Sequence, residues 1–268
     1  MKSERNDQLL YAIQKTKLDI GEMNMVTVDS SWSFPNLRAS FTRVYIPLEG
    51  EAYVSAGDEH RRLEAGKIYI IPYGMSFTCG CPESMKKLFF HFNLRCANGG
   101  DIFDGVKSFL VIDKAETMTE RLIELYKKQD TSSAVMMKAL LYEIIESALS
   151  MIPDSPAMVR ELSEYTEKAL RYIKEHLSSR LTVGEIADAL FVSRQVLQKN
   201  FTRDVGKPIG KYIDEAVMEK AERYLLGRSL SLSEISERLG FCDQFYFSRR
   251  FTELHGISPL RFRKAHNT

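Results

Sequence analysis

The sequence predicts an α+β protein of two domains: an N-terminal β-barrel with two following helices, and an all-α domain of two helix-turn-helix motifs joined by a long helix. Three observations lead to this prediction. Short alternating segments broken by Gly and Pro run from Met23 to about Leu94. Two apolar stripes at helical spacing follow them. Leu181 to Lys264 then carries nearly the same pattern twice, which indicates a duplicated unit.

Four short segments predict the strands of the barrel. In the first, Phe41, Arg43 and Tyr45 alternate with residues that face the other side of the strand. Glu49-Gly50 and Gly57-Asp58 are turn signals between segments. Short strands at regular spacing are typical of a sandwich or barrel. The predicted strands cover residues 39–48, 51–55, 63–72 and 87–94.

Two helices are predicted after the barrel. One runs from Glu116 to Gln129, and Thr131 or Ser132 is the predicted N-cap of the next. The apolar stripe of the second helix is broad enough to cover both the barrel and a partner, although packing on the barrel alone is a comparable alternative. Its members are Met136, Met137, Leu140, Leu141, Ile144, Ile145, Ala148 and Leu149.

Pro and Ser residues around positions 153–156 predict an interdomain linker. We therefore expect a first domain over residues 1–152, with its barrel at about 23–94 and its helices at about 115–151. The linker covers residues 153–158, and the second domain covers residues 159–268 and opens with a helix from Val159 to Leu177. At 268 residues the chain is long enough for each domain to have its own core.

The duplication has a defined offset. Glu185-Ile186 matches Glu234-Ile235 at 49 residues, whereas Phe201 and Gly206 match Phe251 and Gly256 at 50. The extra residue of the second copy therefore lies in the link between its two helices. Each copy predicts a capped helix, a short turn and a second capped helix, with Thr182, Ser193 and Asp243 as N-caps.

The second helix of each copy has an outer face of hydrogen-bonding side chains. Arg and Lys contact guanine edges and phosphates, Gln pairs with adenine, and an exposed Phe suits a thymine methyl. A merely solvated face is the alternative for one copy, but the repetition favours nucleic-acid binding. The candidate contacts are Arg194, Gln195, Gln198 and Lys199 in the first copy, and Gln244, Phe245, Ser248 and Arg249 in the second.

One helix is predicted between the copies, from Pro208 in its first turn to Leu226, with Gly227 just past its end. A single rigid helix would fix the distance between the two outer faces. Two such helices can enter successive major-groove faces about 34 Å, or one helical turn, apart.

These residues resemble the DNA-binding domain of the AraC/XylS family of bacterial transcription regulators. The motif comprises Ile235 to Leu239, Gly240-Phe241, Asp243-Gln244, Tyr246 to Phe251, Gly256 to Pro259 and Arg261-Phe262-Arg263. Phe262 stands where the family commonly has Tyr, and Phe245 where it often has a small or polar residue. The resemblance implies that the second helix of each motif enters the major groove of promoter DNA, with RNA polymerase as a further partner.

The first domain is similar to the cupin-like sensor domain of such regulators, through Glu49-Gly50, Leu63-x-x-Gly66 with Ile68-x-x-x-Pro72, and Phe90-His91-Phe92. This similarity implies a small-molecule effector, such as a sugar or related metabolite, and a homodimer formed through helices at about 115–151. A barrel of this size can hold a small ligand. The candidate lining residues are Trp32, Arg43, Tyr45, Tyr53 and His91; the alternative is that the tyrosines are core and His91 is a satisfied histidine.

Other function classes are disfavoured. His60 and His91 are isolated and Cys79-Gly-Cys81 has no second pair, so we expect no metal, no cofactor and no enzyme activity.

From Ala157 onward there are 19 basic and 15 acidic residues, against 37 and 36 in the whole chain, a mild bias toward nucleic acid. Without a signal peptide or an apolar run of membrane length, we expect a cytoplasmic protein with no membrane partner. The alternatives are a cupin-type metal-dependent enzyme with a DNA-binding tail and a non-sensing architectural DNA-binding protein.

Overall fold

The computed structural model describes residues 7–152, 162–227 and 229–265. Its N-terminal half is mainly strands, and its C-terminal half is helical, which confirms the predicted α+β class. The strands are β1 (Lys17–Asp29), β2 (Ser33–Leu37), β3 (Thr42–Gly50), β4 (Ala52–Ala56), β5 (Glu59–Leu63), β6 (Ile68–Ile71), β7 (Phe77–Gly80), β8 (Ser84–Arg95) and β9 (Leu110–Ile112). The helices are α1 (Asp7–Lys15), α2 (Glu116–Lys128), α3 (Thr131–Ser150), α4 (Glu164–Glu175), α5 (Val183–Ala189), α6 (Arg194–Val205), α7 (Ile209–Leu226), α8 (Leu232–Arg238), α9 (Gln244–His255) and α10 (Pro259–Ala265).

The chain divides into two compact units. The sheet unit contains residues 20–93 and 103–152, and the helical unit contains residues 7–19, 94–102 and 162–265 apart from 228. Residues 7–19 and 94–102 thus group with the helices, whereas the sequence assigned them to the first domain. The predicted linker 153–158 and the predicted helix start at Val159 lie outside the described residues.

The sheet unit is built from two sheets. Their strand orders are β1-β8-β3-β6-β9 and β2-β7-β4-β5. The central pair β3 and β8 is antiparallel, with Arg43 opposite His91 and Tyr45 opposite Phe89, and its register shifts between Pro47 and Glu49. Such a β-bulge re-aims the side chains near it.

The two faces of β3 and β8 differ in chemistry because successive side chains point to opposite sides of a strand. One face is apolar and fully buried, with Val44, Ile46 and Phe90 among its members. The other face carries Arg43, Tyr45 and His91. It meets the four-stranded sheet, since the Arg43 guanidinium lies 5.0 Å from the centre of the Phe77 ring on β7.

Helices α2 and α3 pack together, and α3 also packs beside β9. The cap of α3 is Asp130 and neither Thr131 nor Ser132: its carboxylate accepts from the Ser133 backbone N–H at 2.6 Å, and the Ser133 hydroxyl in turn accepts from Asp130. Most of the predicted apolar stripe is buried by the chain itself. The exposed apolar side chains of α3 are instead Val135 and Tyr142, seven residues apart and therefore on one side.

The helical unit confirms the predicted duplication. Helices α5 and α6 form the first helix-turn-helix, and α8 and α9 form the second. The first helices end at the caps Leu190 and Leu239, 49 residues apart, whereas the second begin after Ser193 and Asp243, 50 apart. The extra residue therefore lies in the second link, as predicted. Helix α7 connects the copies and packs against α6, α8 and α10.

Across the described ranges, no helix is long and apolar enough to span a lipid bilayer.

Candidate functional site

Both helix-turn-helix motifs begin with the same local device. In the first, the Glu185 carboxylate accepts from the Thr182 backbone N–H at 2.7 Å, while the Glu185 N–H donates to the Thr182 hydroxyl at 3.2 Å. Ser231 and Glu234 repeat this at 2.8 and 3.2 Å. Each capping box satisfies N–H groups that a helix start leaves without partners. The matched boxes fix the entry of α5 and α8 in the same way.

The recognition helices α6 and α9 are capped at both ends. The Ser193 hydroxyl accepts from the Val196 N–H, and Asp243 accepts from the N–H groups of Phe245 and Tyr246 at 2.8 and 2.7 Å. The latter hydrogen bonds lower the pKa of Asp243. Gly206 and Gly256 end the helices in left-handed conformations, with φ of 80° and 74°, where glycine has no steric penalty.

The inner sides of the two helices are anchored by apolar packing. Leu197 and Phe201 of α6 and Phe247 and Phe251 of α9 are completely buried. The Phe251 ring lies 5.2 Å from that of Phe262 in an edge-on arrangement, the geometry that aromatic pairs prefer. Because these anchors fix one face of each helix, the opposite face must point to solvent.

In the first copy the four candidate side chains all reach solvent. Gln195 and Lys199 are exposed, and Gln198 is half-buried with its amide 3.4 Å from the Thr202 hydroxyl. Arg194 is exposed as well, and its guanidinium lies against Gly184 of α5, where a larger residue would collide with it. Val196, in the first turn of α6, is 43% exposed and so does not belong to the buried side of the helix, although its spacing from Asn200 suggests that side.

In the second copy, Phe245 and Arg249 are exposed, whereas Gln244 and Ser248 are half-buried. Phe245 is 77% exposed, so its ring has almost no packing role within the chain. The guanidinium of Arg249 lies 5.5 Å from the centre of the Tyr246 ring, a cation–π distance. The structure thus brings each set of four residues to one side of its helix, and their contacts with DNA stay a prediction.

The sequence predicted only one connection between the two copies, and the structure shows a second. Residues 178–180, which follow α4, contact the turn of the second motif: the Ser179 N–H donates to the Leu239 carbonyl at 2.8 Å, and Arg180 Nε donates to the Gly240 carbonyl at 2.8 Å. Gly240 has φ of 78°, and the Ser178 hydroxyl occupies the space that a Cβ would need. Helix α7 is therefore not the only element that holds the second motif in place.

The equivalent turn position in the first motif is Phe191. It has φ of 55° and is 95% exposed. A left-handed backbone is unfavourable for a non-glycine residue, and burial does not compensate it here. Phe191 is therefore a residue that local stability does not explain.

Asp204, in the last turn of α6, holds the recognition helix to the start of α4. It accepts from the Ser163 hydroxyl at 2.6 Å, the Ser163 N–H at 3.0 Å and the Thr166 hydroxyl at 2.7 Å. Arg203 Nε lies 2.7 Å from its other oxygen. Burial alone would raise the pKa of Asp204, but these hydrogen bonds outweigh it and hold that pKa well below its usual range.

The candidate ligand residues of the sheet unit fall into two groups. Trp32, Arg43, Tyr45 and His91 are buried between the sheets, and the Trp32 and Tyr45 rings are 5.9 Å apart. Tyr53 does not lie with them: it is 42% exposed and packs over Gly80 on the outer side of β4. Its neighbour Val54 takes the inward position, because successive side chains of a strand point to opposite faces. Tyr53 therefore cannot line the interior with the other four.

Two further polar residues of this interior were missed. Lys87 shares its face of β8 with His91, four residues on, and its ammonium lies 3.8 Å from the centre of the Trp32 ring. Glu22 Oε2 lies 3.0 Å from Nδ1 of His91. Burial and the charges of Arg43 and Lys87 lower the pKa of His91, so the neutral ring donates to the carboxylate. Residues four apart point to the same face of a strand, so the prediction that His91 faces the interior could have identified Lys87 as well.

Over residues 7–152, 162–227 and 229–265, no three His, Cys, Asp or Glu side chains are grouped to hold a metal ion.

Comparison with known proteins gives three findings. A helix-turn-helix domain family matches residues 186–265. The chain is 26% identical to the Msm operon regulatory protein of Streptococcus mutans over 95% of each chain, and 23% identical to the lactose operon transcription activator of Staphylococcus xylosus over 82% of each. Its fold is similar to that of ToxT from Vibrio cholerae, with a TM-score of 0.57 and 12% identity over 94% of this chain and 98% of that one.

Proposed function

We infer that this chain is a member of the AraC/XylS family of bacterial transcription regulators and binds DNA through its duplicated helix-turn-helix domain. In this proposal α6 and α9 each contact one box of a bipartite promoter site. The observation that carries the proposal is the repetition itself: two recognition helices with buried apolar anchors and exposed hydrogen-bonding outer faces. A merely solvated helix would not need the same glycine end and polar face twice.

The outer faces supply two kinds of contact. Arg194, Lys199 and Arg249 carry the charge that phosphates and guanine edges attract. Gln195 and Gln244, near the start of their helices, occupy the end that enters the major groove first. We assign base selection to the glutamines and to Arg249, and salt-dependent affinity mainly to the other two cations.

Selection of bound DNA from a random pool tests this function. The expected result is two conserved boxes about one helical turn apart. Gln195→Ala should relax one box and Gln244→Ala the other, whereas Gln8→Ala on α1 should change neither. A single box, or the same loss of preference in both boxes with either variant, would contradict the proposal.

The sheet unit is proposed as the sensor of a small effector. The relatives named for operon regulation, one of them for lactose, support a sugar or related metabolite. Trp32, Arg43, Tyr45 and His91 are the proposed contacts, because they combine aromatic faces with hydrogen-bonding groups in one buried cluster. An effector controls DNA binding only if it binds one state of the protein more tightly than another.

Dimerisation is proposed through the outer side of α3, since Val135 and Tyr142 are exposed there while the predicted stripe is already buried. Contact with RNA polymerase stays a prediction. Because bacterial promoters lie in the cytoplasm, we place the protein in that compartment.

A further inference from the structure

The interior of the sheet unit contains two buried cationic side chains. Arg43 and Lys87 are 1% and 3% exposed. The groups whose charge acts on Lys87 are Arg43, Glu22 and the thiols of Cys79 and Cys81. Burial raises the pKa of Cys79 to about 11, so this thiol is neutral. Glu22 is thus the carboxylate whose charge acts on Lys87, and it already accepts a hydrogen bond from His91.

The ammonium of Lys87 lies between aromatic faces. Its Nζ is 3.8 Å from the centre of the Trp32 ring and 3.9 Å from that of Tyr45. The centre of the Phe89 ring lies 5.7 Å from the same ammonium, so Nζ also contacts a third aromatic ring. Cation–π attraction offsets part of the cost of removing an ammonium from water, but buried charges are ordinarily paired. Accordingly, burial lowers the pKa of Lys87 to about 7.

The surroundings of Lys87 are suited to a ligand. It lies opposite Pro47, at the β-bulge between Pro47 and Glu49, and bulges are common beside functional sites. Trp32 lies in the turn between β1 and β2, where its N–H donates to the Asp29 carbonyl. Flat aromatic faces are suited to packing against the C–H groups of a sugar ring, and an ammonium is suited to an anion.

We propose that Lys87 binds the anionic group of the effector, so that the sensor recognises a sugar acid or a sugar phosphate in preference to a neutral sugar. In the free protein the Lys87 ammonium contacts the Trp32 and Tyr45 rings, and in the complex it pairs with the bound anion instead. This inference rests on the proposed sensor function and specifies the charge of its ligand.

The single tryptophan of the chain makes the proposal directly measurable. Because Trp32 contacts the ammonium, movement of Lys87 toward an anion should change its fluorescence. The full-length protein is titrated with glucuronate, glucose 6-phosphate and glucose at constant ionic strength. We expect a saturable change with at least one charged sugar and none with glucose; which one responds distinguishes carboxylate from phosphate. An equal response to glucose, or none to either charged sugar, would overturn the proposal.

Two lysines that are adjacent in the chain provide a matched pair of variants. Lys87→Met removes the buried charge at similar length, and Lys86→Met removes the exposed charge that pairs with Glu49 at 3.3 Å. Affinity for the charged sugar should fall at least tenfold in Lys87→Met and stay unchanged in Lys86→Met. Without sugar, Lys87→Met should melt at the same temperature as the wild type or higher, because an incompletely paired buried charge is removed.

A lower melting temperature for Lys87→Met would show that the ammonium is structural and would overturn the proposal, as would equal effects of the two variants. These titrations contain no DNA. Their failure would therefore leave the selection of promoter boxes untouched, and failure of that selection would leave these titrations untouched.

Discussion

Asp204→Asn is the substitution whose effect can be worked out most fully from the structure. The native carboxylate accepts three hydrogen bonds from Ser163 and Thr166 and a fourth contact from Arg203, with its side chain only 7% exposed. A hydrogen bond to a charged group contributes about 1.5–3 kcal/mol and a neutral one about 0.5–1.5. Losing the charge should therefore lower the free energy of unfolding by about 1 kcal/mol for each hydrogen bond from Ser163 and Thr166, or about 3 kcal/mol in total at neutral pH.

The cost should depend on pH in a defined direction. The pKa of Asp204 is lower in the folded protein than in the unfolded chain, so its contribution is complete above the unfolded value of about 3.9. Below that value the contribution should decline by about 1.4 kcal/mol per pH unit until the folded pKa is reached. Asn does not titrate, so the difference between wild type and variant should shrink in acid.

Urea denaturation followed by far-ultraviolet circular dichroism measures both effects. Asp188→Asn is the matched control, because Asp188 is exposed on α5 and its substitution should change stability by less than about 0.5 kcal/mol. Equal losses in the two variants at neutral pH, or a loss in Asp204→Asn that persists unchanged in acid, would refute the role given to this carboxylate.

Three further substitutions test other parts of the account. Gly240→Ala should destabilise the protein by at least about 1–2 kcal/mol in urea denaturation, because Ala must adopt the left-handed backbone and displace Ser178; no loss would contradict the close contact. Phe191→Gly should instead raise stability by about 1 kcal/mol, since it relieves a positive φ without losing burial; a decrease would show that the exposed ring is structural. Arg249→Ala should cost about 1–3 kcal/mol of affinity in binding titrations and relax one base position; a uniform loss across all sequences would make it a phosphate contact.

The helical unit could be predicted well because its signals are local. Caps such as Thr182, Ser193 and Asp243 lie next to the helices they begin, and apolar spacing identifies the buried face within one helix. The strands were harder to predict. Strand β1 has a single buried residue, so the core constrains little of its sequence. Strand β9 has three residues, too few to show any period.

The sites show the same division between local and long-range information. Helix periodicity placed the outer faces of α6 and α9 on the solvent side, but Val196 is 43% exposed although the adjacent Leu197 is completely buried. Contacts between distant segments, such as Arg180 with Gly240, have no local signature. Tyr53 was assigned to the interior by residue type, whereas its position depends on which face of β4 the four-stranded sheet buries. Strand parity would have corrected this choice only after the inward face was known.

The spacing between the two DNA boxes tests the central claim most directly. Affinity is measured on the selected site, on the same site with about five base pairs inserted between the boxes, and on each box alone. Half a turn of insertion moves one box to the opposite side of the duplex. The account predicts that affinity for the lengthened site falls to that of a single box. Equal affinity at both spacings would contradict the view that α6 and α9 bind one site together.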